Sequence, residues 1–400
     1  MLIEERLEMK RIETISIFIL AVLLTLTYFL NATIANSYMT MILFVDVLMV
    51  AMLLLSPKAI LKTPKSVIIL CFWVFLRQFI YSGISFSQLP TLFYHGAAPI
   101  VAYTLISSVS EENGGLTVKV DNLVSRKSNK LDFAYLLIIL WCVIYILYVE
   151  PQRGLRNWGY ANYIYLVYAL FPLVFMSKKK VFQYVTTALL IVATIVSKKR
   201  TAVILLVVYA VVFSWRAFTR KKTRTYQFLL ITVALVAIVA LSYSTSFFEN
   251  ISTNYLYRFD TSNDDNWNGR FAIWSYGLAR WWSGNIFDII FGNNITYSYS
   301  ASSVELTMHN DYLEMLTNYG IVGLIMTISF IVWLVKRTRR FGTHNFEDYN
   351  TVSTFTCVNY LVLMVTSHII IYPYLMALCL APIAFCEGME RRASYENRAY

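Results

Sequence analysis

The residues with the most chemical potential lie in the one long polar segment of this chain, residues 243–311. The segment carries Arg258, Arg270 and Arg280, and it ends with the pair His309-Asn310. Guanidinium groups form bidentate pairs with phosphate oxygens, and a histidine can exchange a proton near neutral pH. These residue types could therefore bind an anionic ligand and move a proton beside it. Surface ion pairs for the arginines and an ordinary interfacial role for His309 are the alternatives.

The sequence around Arg270 predicts a short helix. Gly269 indicates a turn, and the spacing of the apolar residues that follow is that of an amphipathic helix lying at a membrane interface, namely Trp274, Leu278, Trp281 and Trp282. This places Arg270 in the first turn of the helix. A cation gains nothing from the helix dipole there, which favours a functional role over that of a solvated surface residue.

Two charged residues fall inside apolar segments that are predicted to cross a membrane. A charge within a span costs at least about 2.5–3.5 kcal/mol and usually faces the interior of a helix bundle. Arg77 and Asp46 are therefore candidate site residues, and an ion pair between them is the structural alternative. His95 and His368 lie near predicted helix ends and have the same ambiguity as His309.

Composition indicates a polytopic membrane protein. Hydrophobic residues make up 58% of the chain and charged residues 14%, against about 25% charged residues in soluble domains. The formal charge of +11 is explained by basic loops on one side of a membrane, with no nucleic-acid partner. The five cysteines lie in apolar runs without metal-ligand spacing. Nucleotide-binding and metalloenzyme motifs are absent from the sequence, which argues against a nucleotide-driven pump and against a metal or other cofactor.

Apolar runs long enough for a helix to cross the hydrocarbon predict an all-α fold with about twelve transmembrane helices. We expect helices one to nine in residues 1–243, a large extracytoplasmic loop with short helices in 244–310, and helices ten to twelve with a cytoplasmic tail in 311–400. With both termini placed inside, about 25 of the 34 Lys and Arg residues fall on the cytoplasmic side. The long polar loop would then face outward.

Lys and Arg residues usually lie on the cytoplasmic side of a membrane protein, so those predicted to face outward are the most informative. Besides the three arginines of the long loop, the outward exceptions are Arg153, Arg156 and the run Lys198-Lys199-Arg200. Cations placed against the topological preference at outer helix ends favour binding of an anionic ligand over several accidental ion pairs.

The layout and several motifs resemble the superfamily of O-antigen ligases and Wzy-type polysaccharide polymerases. The matching features are Ser197-Lys198-Lys199-Arg200, an outer loop with Arg153-Gly154 and Asn157, the Arg-x-x-x-Trp segment from Arg270 to Trp274, and the sequence from His309-Asn310 through Gly320 to Gly323. The resemblance implies metal-independent glycosyl transfer from an undecaprenyl-pyrophosphate-linked oligosaccharide. The reaction would take place on the outer face of a bacterial cytoplasmic (inner) membrane.

The resemblance also implies roles for individual residues. Arg270 and His309 would be catalytic, with His309 either accepting the hydroxyl proton or orienting the acceptor, a task that Asn310 would share. Further cations would bind the donor pyrophosphate, namely Arg200, Arg77, Arg258, Arg153 and Arg156. Besides the lipid bilayer and the lipid-linked donor, a flippase and a chain-length regulator would be partners.

Four functions remain open from the sequence. The leading hypothesis is a polymerase that joins repeat units into O-antigen, capsule or exopolysaccharide. A ligase of the same superfamily would pass finished glycan to a lipid or protein acceptor. A polysaccharide or ion transporter would use Asp46 and Arg77 along its pathway, although no inverted repeat is evident. A scaffold of a synthesis complex would not require outward arginines.

Overall fold

The computed structural model describes a helical protein. The described residues are 60, 62–81, 89–112, 140, 143–144, 163–177, 180–197, 199–219, 270–292, 299–300, 305–306, 308–343, 347–370 and 372–396. Within these ranges the only strands are β1 (Tyr299–Ser300) and β2 (Glu305–Leu306), which pair antiparallel. The all-α prediction is confirmed for this part of the chain, apart from that two-residue hairpin.

The helices before the polar loop are α1 (Lys65–Tyr81), α2 (Leu89–Glu112), α3 (Tyr163–Leu170) with a 3-10 turn at Phe171–Met176, α4 (Lys180–Ser197) and α5 (Arg200–Thr219). The loop contributes α6 (Arg270–Trp282) and α7 (Ile286–Phe291), and α8 (Asp311–Thr343), α9 (Glu347–Thr366) and α10 (Pro373–Glu396) follow. The predicted short helix does begin at Arg270. Short helices in the polar segment are therefore confirmed.

Two of the described helices are long and apolar enough to cross a membrane, over Lys180–Ser197 and Asp311–Gly342. Shorter apolar helical stretches cover Gly96–Ser108, Ile164–Met176 and Thr201–Arg216. The predicted spans at 14–30, 38–55 and 226–243 lie outside the described residues, as does almost all of 131–149. The total of about twelve transmembrane helices therefore stays a prediction.

The core lies where α10 packs along α2, where α9 packs on α8 and α10, and where α1 packs on α2 and α8. A β-carbon at Gly388 of α10 would lie 1.8 Å from Ser110 Oγ and 2.2 Å from the Ser107 carbonyl oxygen of α2, so a small residue is needed for this close approach. Large aromatic side chains fill the remaining space, among them the fully buried Tyr103, Tyr168, Phe330 and Phe355. Helices with apolar residues on most sides can be buried in this way.

Helix α8 is kinked at Gly320, close to the end of α7. Gly320 has φ 72° and ψ −173°, and Gly292, directly after α7, has φ 82°. A β-carbon at Gly320 would lie 2.3 Å from the Ile290 carbonyl oxygen and 2.5 Å from Gly292 N. The two backbones thus touch, and only glycine combines this conformation with this contact. The kink separates the first turns of α8, which carry the candidate site, from its long apolar part.

We expect Gly320→Ala to lower the stability of the protein, because the new β-carbon would strain a left-handed backbone and collide with α7. The backbone strain alone costs about 1–3 kcal/mol. The melting temperature of the purified protein in detergent checks this. Gly342→Ala is the matched control on the same helix, since its β-carbon would meet only the Asn350 side chain at 3.0 Å or more. Equal melting temperatures for both variants would contradict the close approach at Gly320.

Candidate functional site

His309 is held in an unusual backbone conformation directly before α8. It is the only described non-glycine residue with positive φ, at 50°. The Glu314 carboxylate accepts a hydrogen bond of 2.6 Å from Met308 N, and Trp274 Nε1 donates to the Met308 carbonyl oxygen at 2.6 Å. The backbone on the N-terminal side of His309 is therefore fixed by α8 and by α6. Such enforced conformations are typical of functional positions.

Asn310 fixes the other side of His309 and joins α8 to α9. Its Oδ1 accepts hydrogen bonds from Tyr312 N at 3.0 Å and Leu313 N at 3.1 Å, which caps the N-terminus of α8. Its Nδ2 donates to the Val365 carbonyl oxygen at 3.2 Å, near the C-terminus of α9. The side chain thus has a structural role, and the role in acceptor orientation stays a prediction.

Asp311 and His368 form a buried polar pair beneath His309. Asp311 Oδ2 accepts hydrogen bonds from Ile369 N at 2.7 Å and Ile370 N at 3.3 Å, so the turn between α9 and α10 is tied to the start of α8. Within the described residues the other oxygen, Oδ1, makes no hydrogen bond and lies 3.9 Å from His368 Nδ1. The His368 ring lies 4.7 Å from the His309 ring between centroids. Both Asp311 and His368 are at most 1% exposed.

Arg270 approaches the same place from α6. Its Nη1 donates to the Thr366 carbonyl oxygen at 3.2 Å, at the C-terminus of α9, where the helix dipole favours a cation. Burial lowers the pKa of the guanidinium below its ordinary value, and the nearby Tyr165 of α3 acts in the opposite direction. Arginine nevertheless remains protonated at neutral pH. The helices α3 and α6, the end of α9 and the segment before α8 therefore meet around the Arg270 guanidinium.

The electrostatic environment keeps His309 neutral. Burial, followed by the positive charges of Arg270 and Lys199, lowers the pKa of His309 from its ordinary value of 6.5 to about 4. Burial likewise lowers the pKa of His368, and His309 and Arg270 lower it further. A neutral imidazole beside two cations can accept a proton, and it becomes a stronger base if an anion offsets those cations.

The other predicted site residues are placed differently. Arg77 is 5% exposed, donates a hydrogen bond to the Gly292 carbonyl oxygen and lies 5.9 Å from the Trp73 ring centroid. It faces the bundle interior, as expected for a charge within a span, and it supports the end of α7. Arg200 is the first residue of α5, and its side chain lies outside the described part of the structure, as does that of His95. Arg153, Arg156, Arg258 and Asp46 are outside the described residues altogether.

Several members of the site were not identified from the sequence. Asp311 and Glu314 were available as carboxylates within a predicted span, the same signal that pointed to Arg77. At the start of a helix, however, acidic residues are favourable without any function. His368 was noticed only as an ambiguous histidine, since nothing local indicates that its ring packs against one 59 positions earlier.

Residues 185–328 match the protein-family model described as O-antigen ligase. The resemblance to this superfamily is confirmed. The matched segment covers a little over a third of the chain and includes Lys199, Arg270, His309 and Asp311, while His368 lies beyond it. Members of the family are membrane proteins that act on lipid-linked glycans. A search of the curated proteins found no match.

We expect Arg270→Gln to raise the pKa of His309 from about 4 toward 6.5, because one of the two positive charges that oppose protonation is removed. The chain has four histidines, so imidazole NMR signals of selectively labelled protein can be resolved across a pH titration. The matched control is Arg280→Gln, which removes the same charge near the other end of α6.

An unchanged titration of His309 in Arg270→Gln would show that the two side chains do not interact. An equal upward shift in both variants would show a general charge effect rather than a local contact. In either case the electrostatic description of this site would be wrong.

Proposed function

We propose that this protein is a glycosyltransferase that polymerises undecaprenyl-pyrophosphate-linked repeat units on the outer face of the cytoplasmic membrane. The observation that carries the proposal is the position of a neutral, half-buried His309 between the cations Arg270 and Lys199 and the ring of His368. All but His368 lie in the segment that matches the O-antigen ligase family. A proton acceptor beside fixed cations is what transfer from a phosphate leaving group requires.

The cations would bind the donor pyrophosphate. Lys199 and Arg200 stand at the start of α5, where the helix dipole adds to the attraction for an anion. Arg270 would contribute a planar fork that matches two phosphate oxygens. Arg77, Arg153, Arg156 and Arg258 are proposed as further donor contacts. The leaving undecaprenyl pyrophosphate gains negative charge in the transition state, so cations held in place beforehand lower the barrier.

His309 would accept the proton of the attacking sugar hydroxyl. The hydroxyl oxygen forms a bond to the anomeric carbon of the donor, and the bond from that carbon to the pyrophosphate oxygen breaks with its electron pair. The pKa of His309 is about 4, which makes it a weak base. A bound pyrophosphate would offset Arg270 and Lys199 and raise this pKa, so His309 would become an effective base only when the donor is present.

Asp311 and His368 are proposed as positioning residues. Asp311 holds the backbone of the α9–α10 turn, and its Oδ1 lies next to His368 Nδ1. His368 in turn supports the ring of His309. The Asn310 oxygen caps α8, and one amide hydrogen bonds to the Val365 carbonyl oxygen. The other amide hydrogen would orient the acceptor.

A second candidate is a ligase that transfers finished glycan to a lipid or protein acceptor. It is favoured by the description of the matching family model, O-antigen ligase. Both reactions use the same donor chemistry and the same site, so they differ only in the acceptor.

We expect His309→Asn to reduce glycan transfer by about 100-fold or more, because general base catalysis contributes 10²–10⁴ in rate. Asparagine tolerates positive φ, so the backbone at position 309 is retained while the imidazole is removed. Gel analysis of glycan chain length in cells, with immunoblots of the membrane fraction, is the measurement. His344→Asn is the control, since His344 lies in a loop predicted to face the cytoplasm. Wild-type ladders from His309→Asn would refute the proposed base.

We expect Arg200→Lys to be impaired although the charge is kept, because an ammonium group cannot replace a bidentate guanidinium fork. The same gel assay measures this. The control is Arg216→Lys, which makes the same substitution at the other end of α5, where Arg216 Nη1 donates to Thr354 Oγ1 at 2.6 Å. Normal ladders from Arg200→Lys would remove Arg200 from the site and leave the role of His309 untouched.

Incubation of the purified protein with a lipid-linked repeat unit, and nothing else, distinguishes a polymerase from a ligase. We expect a ladder of longer lipid-linked products, since a polymerase takes donor and acceptor from the same substrate. No product without an added lipid or protein acceptor, and transfer once it is supplied, would establish the ligase.

A further inference from the structure

A second polar region lies far from His309, at the other end of α8. It is a cavity of about 830 Å³ between the start of α1 and the ends of α8 and α10. Lys336 is 25 residues beyond Asp311, which corresponds to at most roughly 37 Å along α8. By the predicted topology this end of the bundle faces the cytoplasm. The cavity therefore belongs neither to the glycosyl-transfer site nor to the outer face.

The cavity has an excess of positive charge. Two carboxylates, Glu387 and Glu390, share its walls with six basic side chains, which are Lys62, Lys65, Lys336, Arg337, Arg340 and Arg391. A third carboxylate, Glu111, accepts hydrogen bonds from Lys62 and from Arg391, each at 3.0 Å. Three carboxylates thus face six cations. Excess charge of one sign in a concave site attracts an ion of the opposite sign.

The carboxylates are already neutralised by part of this set. Glu387 pairs with Arg337 at 2.6 Å and with Arg391 at 3.3 Å. Glu390 pairs with Arg337 and, at 3.1 Å, with Arg340. Within the described residues no carboxylate pairs with Lys65 or Lys336, and both side chains are exposed. These two lysines are the cations available to a ligand.

The walls also contain apolar groups that lead away from the charges. Val332 and Trp333 line the cavity beside Lys336. On α8 the side chains of Ile325, Ile328 and Val332 are 59%, 48% and 43% exposed, and their spacing places them on one helix face. A row of exposed apolar residues that ends at a basic cavity suits a ligand with a charged head and a hydrocarbon tail. A small soluble anion would make no contact with that row of apolar residues.

We propose that this cavity binds the phosphate headgroup of an anionic phospholipid of the cytoplasmic leaflet, with the acyl chains along the exposed face of α8. Lys65 and Lys336 would contact the phosphate, and the paired arginines would supply further positive potential. Basic pockets between helices on the cytoplasmic side are known to bind such headgroups. The site is independent of the proposed glycosyl transfer, because it shares no side chain with it.

Native mass spectrometry of the full-length protein, purified in detergent and stripped of lipid, tests this proposal. The probes are phosphatidylglycerol, phosphatidylcholine and inorganic phosphate. The variant is the double substitution Lys65→Gln with Lys336→Gln. Its matched control is Lys180→Gln with Arg339→Gln, which removes two exposed cations that do not line the cavity. Because all four side chains are exposed, none of the substitutions disturbs the core, and melting temperatures check this.

We expect phosphatidylglycerol to bind the wild type and the control equally, and the Lys65/Lys336 variant roughly 30-fold more weakly, given about 1 kcal/mol for each lysine. Lys336→Glu alone should also weaken binding. Phosphatidylcholine should bind much more weakly to every form. Equal affinity for phosphatidylglycerol in both double variants, or equal binding of the two lipids, would overturn the proposal. Displacement of phosphatidylglycerol by millimolar inorganic phosphate would show a soluble-phosphate site instead.

Discussion

The structure of the candidate site depends on the clamp between the start of α8 and the turn that joins α9 to α10. Asp311 accepts two backbone hydrogen bonds from this turn, and Asn310 donates one to the end of α9. Buried polar groups of this kind are costly unless they are satisfied, so the three helix ends have one favourable arrangement. His309 and His368 face each other because the clamp brings their segments together.

A consequence of this clamp is that the two groups proposed as catalytic lie next to helix ends. Arg270 is fixed by the Thr366 carbonyl oxygen, and His309 by neighbours that bond to Glu314 and Trp274. The loop helices α6 and α7 pack on α8, and Gly292 and Gly320 allow the backbones of α7 and α8 to touch. The buried Arg77 strengthens this contact through the Gly292 carbonyl oxygen. Arg77 therefore also helps to fix the position of α7 on α8.

The two ends of the bundle use positive charge differently. At the His309 end, burial and then the positive charges of Arg270 and Lys199 lower the pKa of His309 and keep it unprotonated. At the other end, arginines and carboxylates form a dense network around a cavity with a net positive excess. Fixed cations at the first end are suited to a transient anionic leaving group. Partly neutralised cations at the second end are suited to a resident anion.

Much of this architecture could be predicted from the sequence. Apolar run lengths predicted helices that the structure confirms as α1, α2, α4, α5, α8 and α9, and the turn at Gly269 predicted the start of α6. The last apolar run, over 373–386, predicts a shorter helix than the one observed, because α10 continues to Glu396. The charges at its end, Glu387 and Arg391, are stabilised by ion pairs with other helices, which no run of apolar residues can reveal.

Residue type and spacing by themselves determined that the described part of this chain is built from apolar helices, and they made Arg77, Arg270 and His309 candidate site residues. Both properties are local, since hydrophobicity, helix periodicity and guanidinium or imidazole chemistry belong to short stretches of chain. Only the tertiary structure decided that His368 and Asp311 join them and that Arg77 bonds to Gly292. Those contacts link positions 57 to 215 residues apart, and such distances are closed by helix packing and the burial of polar groups rather than by any local signal.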